Sequence, residues 1–94
     1  MMLEQQVKRG IALLDERAPG WRAKIDLAKL DMRHRCVLEQ VFGDYFTGLT
    51  QIGLGDDPDE YQDFGFTLFT KSDRPFDELT AEWKRQLITG ADNV

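Results

Sequence analysis

Apolar residues recur at helical spacing over the first part of the chain. The stripe consists of Leu3, Val7, Ile11 and Leu14. Residues three and four positions apart lie on one face of an α-helix, so this pattern predicts a helix over residues 2–17. Pro19-Gly20 is expected to end it, because proline cannot continue the hydrogen-bond ladder and glycine tolerates the turn. Gly10 lies beside the stripe, and we expect another element to cross the helix closely there.

A broader stripe predicts a second helix over residues 33–47, which we expect to be the central element. The stripe is formed by Val37, Leu38, Val41, Phe42, Tyr45, Phe46 and Leu49. So wide a stripe implies contacts on two sides of the helix. Gly48 is expected to terminate it. Gln40 lies within the stripe, and a buried amide must be hydrogen-bonded. We therefore expect Gln40 to bind the backbone of the 21–32 connection.

A third apolar face lies near the C-terminus. It consists of Phe76, Leu79, Trp83 and Leu87, again at helical spacing. This face predicts a helix that begins at a Ser72 or Asp73 cap. We expect Gly90 to end the helix and residues 91–94 to be frayed.

The segments between these helices carry weaker patterns. Apolar spacing over residues 21–32 is irregular, which predicts a packed connection with one short helical turn. Asp57 and Pro58, followed by acidic residues, are typical of a helix start, so a short helix over 58–63 is expected. Residues 65–70 are rich in strand-forming types and are expected to be extended.

Length and composition set the class of protein. The chain has 94 residues, of which 41% are hydrophobic and 31% charged, as in a soluble globular domain. The predicted fold is mainly α: one compact domain over residues 1–94, a bundle of three to four helices with an irregular segment and one short extended strand. A single cysteine forms no internal disulfide and favours a reducing compartment. No stretch approaches the roughly 20 apolar residues of a membrane span. We therefore expect a cytoplasmic protein.

Charge is unevenly distributed along the chain. The formal net charge is −5, with net +2 over residues 1–40 and net −7 over residues 41–94. An acidic surface favours a basic partner, or serves only for solubility. The candidate protein-binding residues are Asp56, Asp57, Asp59, Glu60, Glu78 and Glu82.

Basic residues cluster earlier in the sequence, which leaves a nucleic-acid function open. The candidate phosphate-binding residues are Arg22, Lys24, Arg33 and Arg35. In a helix-turn-helix protein, however, the second helix presents polar and basic side chains to the bases. The helix predicted after Arg33 presents aliphatic and aromatic residues, so a solvated basic face that pairs with the acidic half is the preferred interpretation.

The sequence offers little catalytic chemistry. Asp31, His34 and Cys36 provide three metal ligands at most, and a metal site needs three or four in a set geometry. Cys36 follows basic residues, which lower a thiol pKa, but its apolar neighbours favour a small buried cysteine. We identify no base or acid that completes a nucleophilic mechanism. No catalytic residue, metal or cofactor is expected.

Several separated blocks of sequence resemble a family of small uncharacterised proteins found in actinobacteriophages and actinobacteria. The blocks are Gly20-Trp21-Arg22, Ile25-Asp26-Leu27, Leu30-Asp31-Met32, Cys36-Val37-Leu38, Gln40, Gly43, Tyr45, Gly65-Phe66, Leu79-Thr80 and Trp83. The resemblance covers about residues 10–88, and a departure is Glu39, where such proteins often have glycine. It implies an accessory phage-type protein and carries over no catalytic residue, since the shared positions are mostly apolar, Gly or Asp.

The sequence thus favours a non-enzymatic protein that binds a host or phage protein in the host cytoplasm. A small regulator associated with nucleic acid is the alternative. A self-associating protein, dimerising through the 65–70 edge, also stays open.

Overall fold

The computed structural model describes residues 2–33, 36–54, 57–68 and 73–92. The described residues contain five α-helices and one 3₁₀ helix, and they contain no β-strand. The helices are α1 (Met2–Arg17), α2 (Val37–Phe42), α3 (Tyr45–Gln51), α4 (Pro58–Asp63) and α5 (Asp73–Asp92), with the 3₁₀ helix at Trp21–Lys24. The prediction of a small, mainly α domain is confirmed. The radius of gyration of the protein, 12.1 Å, matches the value of about 12 Å expected for a compact chain of this length.

The buried core is formed by side chains of α1, α2, α3, α5, the 3₁₀ helix and the connections between these elements. Both α4 and α5 pack on α1. Trp83 of α5 is fully buried, and its indole nitrogen donates a 2.7 Å hydrogen bond to the carbonyl oxygen of Gly65. Phe66 stacks on the Trp83 ring at 5.8 Å, and Trp21 meets it edge-on at 6.5 Å. A β-carbon at Gly10 would overlap the Phe64 carbonyl oxygen, so the close crossing expected at Gly10 is present.

The connection between α1 and α2 is packed and irregular, as its sequence predicts. Met32 donates its amide to the Thr80 hydroxyl of α5 at 2.9 Å. The Gln40 side chain accepts from the Asp26 amide at 2.6 Å and donates to the Asp26 carbonyl at 3.4 Å. The expectation that Gln40 binds this backbone is confirmed.

The prediction of a single helix over residues 33–47 is wrong. Two short helices, α2 and α3, replace it, and they pack against each other. Gly43 ends α2 with φ of 86°, a left-handed conformation that glycine adopts without strain. Asp44 then caps α3, its carboxylate accepting from the Thr47 amide at 2.9 Å. This break raises the number of α-helices above the three to four predicted.

Three further boundary predictions are wrong. Gly48 does not terminate a helix but lies buried inside α3, where its Cα faces Leu38 and Phe42 of α2. Gly90 does not end α5, which continues to Asp92. The segment that begins at Gly65 forms no strand in its described part, residues 65–68, and Gly65 itself turns with φ of 74°. The proposed dimer edge therefore has no strand in that part.

Other boundaries are confirmed. Helix α1 has the predicted range, and so has α4, which Asp57 caps. The predicted apolar face of α5 is turned inward, with Leu79, Trp83 and Leu87 buried. The alternative cap Ser72 lies outside the described residues. Within the described ranges, no helix is long and apolar enough to cross a membrane.

Candidate protein-binding surface

The packing of α3 on α2 determines which side chain of α3 faces solvent. A β-carbon at Gly48 would lie 2.9 Å from side-chain atoms of Leu38 and Phe42. On this side, the backbone of α3 therefore packs directly against side chains of α2. Phe46 precedes Gly48 by two residues, about 200° around a helix. Phe46 therefore projects from the opposite side, and 70% of its surface is exposed.

The exposed ring of Phe46 is not isolated. It meets Tyr45 edge-on at 5.4 Å, and Tyr45 in turn meets Tyr61 of α4 edge-on at 6.3 Å. Tyr45 is half-buried, and its hydroxyl donates to the Phe66 carbonyl at 3.4 Å. Burial raises the pKa of Tyr45 to about 12. Tyr45 thus anchors two neighbouring rings to the core, and Phe46 stands at the outer end of the row.

Helix α4, which contributes Tyr61 to this row, also carries exposed carboxylates. Asp57 caps the helix, its side chain accepting from the Asp59 amide at 3.0 Å. Asp59, Glu60 and Asp63 are exposed. Within the described residues, no Lys, Arg or His lies within ion-pair distance of these four carboxylates. Helix α4 thus carries four carboxylates without a described cation partner, of which Asp59 and Asp63 lie about 160° around the helix from Tyr61.

We call this region the aromatic–acidic face. It consists of Phe46 and Tyr61 with Asp57, Asp59, Glu60 and Asp63. Three of these six residues, Asp57, Asp59 and Glu60, are among those predicted from the sequence, whereas Phe46, Tyr61 and Asp63 are not. A signal for the region was present, because the sequence between Arg35 and Lys71 holds seven acidic residues and no Lys, Arg or His. Phe46 was missed because in the sequence it continues the apolar stripe of the preceding residues. In the structure, the break at Gly43 turns its side chain outward.

The other acidic candidates lie elsewhere. Asp56 is outside the described residues. Glu78 and Glu82 belong to α5, where they border an open groove of about 410 Å³ with Leu3, Glu4 and Arg85. Glu82 hydrogen-bonds Arg85, which lowers the pKa of the Glu82 carboxyl, and Glu78 lies 4.0 Å from Arg74. These carboxylates are thus partly neutralised by cations of their own helix.

The basic candidates are partly occupied by ion pairs. Arg22 lies 2.9 Å from Asp15 and over the Trp21 ring at 5.1 Å. Arg33 binds Asp31 and, at 2.8 Å, Asp77 of α5.

Two further candidates complete this basic set. Lys24 is exposed at the end of the 3₁₀ helix, and Arg35 lies outside the described residues. The expectation that basic residues pair with the acidic half holds for Arg33 and Asp77, whereas Arg22 pairs within the first half of the chain.

Cys36 is the remaining candidate for a reactive side chain. Its thiol is buried, and burial raises its pKa, so the thiolate is disfavoured. His34, which was considered with Asp31 and Cys36 as a metal ligand, lies outside the described residues. Among the residues that the structure describes, no group of three or more His, Cys, Asp or Glu side chains is arranged to hold a metal ion.

Comparison with protein-family models, with curated proteins and with solved structures finds no match for this chain. The features that bear on function are therefore those of the surface itself.

Proposed function

We propose that this chain is a non-enzymatic accessory protein of phage type that binds a host or phage protein through the aromatic–acidic face. It acts in the host cytoplasm, as its resemblance to actinobacteriophage proteins implies. The observation that carries the proposal is the 70% exposure of Phe46 at the end of an ordered aromatic row.

Single exposed apolar residues are common on soluble proteins and need no function. Phe46 differs because Tyr45, on which it packs, is fixed by the core and by Tyr61. Rigid aromatic side chains lose little conformational entropy on binding, and they are enriched among the residues that dominate interface energies. Burying an exposed Phe ring contributes about 1.5–3 kcal/mol, which is about ten- to a hundredfold in affinity.

The test is a pull-down from an actinobacterial lysate with three baits, read by mass spectrometry. The baits are the wild-type protein, Phe46→Ser and the control Ile88→Ser. Ile88 is the matched control because it is also a large, exposed apolar residue, with 54% of its surface accessible, but belongs to α5. Circular dichroism of each bait verifies that the fold is retained.

We expect at least one protein that the wild type and Ile88→Ser retain and that Phe46→Ser loses. Proteins retained equally by all three baits, or lost equally from both variants, would contradict the proposal. The same lysate treated with nuclease separates protein contacts from contacts bridged by nucleic acid.

The nucleic-acid alternative depends on Arg22, Lys24, Arg33 and Arg35. Two of these guanidinium groups already bind carboxylates, which must be displaced before the groups bind phosphate. A salt-dependent gel shift that Arg22→Ala and Lys24→Ala together abolish would support this alternative, since phosphate contacts weaken steeply with salt.

A further inference from the structure

We draw no further inference here: the strongest candidate, the open groove of about 410 Å³ between α1 and α5, carries nothing, because its charged groups Glu4, Glu82 and Arg85 already pair with one another and nothing in the structure shows what covers it.

Discussion

Replacing Trp83 by Phe tests how the core is held together. Trp83 is fully buried, and its indole nitrogen donates to the Gly65 carbonyl at 2.7 Å. The substitution removes this donor, and a buried carbonyl left without its partner costs about 1–3 kcal/mol. The smaller ring also leaves a cavity beside Phe66 and Gly10, which costs roughly 1–2 kcal/mol more. We expect the free energy of unfolding to fall by about 3 kcal/mol.

The same substitution at Trp21 is the matched control. Trp21 is also buried, but its indole nitrogen donates to the Asp15 carboxylate, whose side chain is 46% exposed. Water replaces the lost donor at an exposed acceptor, so the hydrogen-bond penalty is small. We expect Trp21→Phe to lower the free energy of unfolding by about 1–2 kcal/mol.

The stability of both variants is measured by urea denaturation followed by far-ultraviolet circular dichroism. Tryptophan fluorescence is not suitable, because each variant lacks one tryptophan. With a slope of roughly 1 kcal/mol per M, the urea midpoint should fall by about 2–3 M for Trp83→Phe. A similar shift for the two variants, or a loss at Trp83 below about 1 kcal/mol, would refute the importance of the buried hydrogen bond to Gly65.

Three other predictions follow from the backbone and from titration. Gly10→Ala should lower the midpoint of thermal unfolding although alanine favours helices, because the new methyl overlaps the Phe64 carbonyl; an unchanged midpoint would contradict this close crossing. Gly43→Ala should cost about 1 kcal/mol in urea denaturation from its φ of 86° alone, since its Cβ meets no atom within 4 Å; a larger loss would indicate a hidden clash. Burial raises the pKa of Tyr45 to about 12, so the unfolded chain releases this proton first and stability should fall as pH rises from 10 to 12. Thermal unfolding of Tyr45→Phe should show a shallower fall over that range, and an identical fall would assign the effect to other groups.

The helices at the two ends of the chain were predictable because one face of each packs on the other. Their apolar stripes have a single period, so the pattern and the burial agree. The 58–63 helix was predictable for a different reason, since Asp57 and Pro58 are a strong local start signal. The contact of Gln40 with the backbone also followed from its polar side chain in an apolar stripe.

The break between α2 and α3 was not predicted because the apolar stripe continues across it. Gly43 and Asp44 are residue types typical of a helix end and a helix cap, but the prediction followed the apolar periodicity alone. The prediction of a helix end at Gly48 is wrong because, from sequence alone, a glycine at a close approach between helices looks the same as a glycine that ends a helix. Both errors concealed the aromatic–acidic face, since the break is what turns Phe46 outward.

Photo-cross-linking from position 46 tests the central claim most directly. A photoreactive phenylalanine analogue replaces Phe46 in one protein and Ile88 in a second, and each is irradiated in actinobacterial lysate. We predict a cross-linked protein from position 46 alone, suppressed by excess wild-type protein. Cross-links of equal yield from both positions, or a position-46 product that excess wild-type protein does not reduce, would contradict the claim that this face binds a protein.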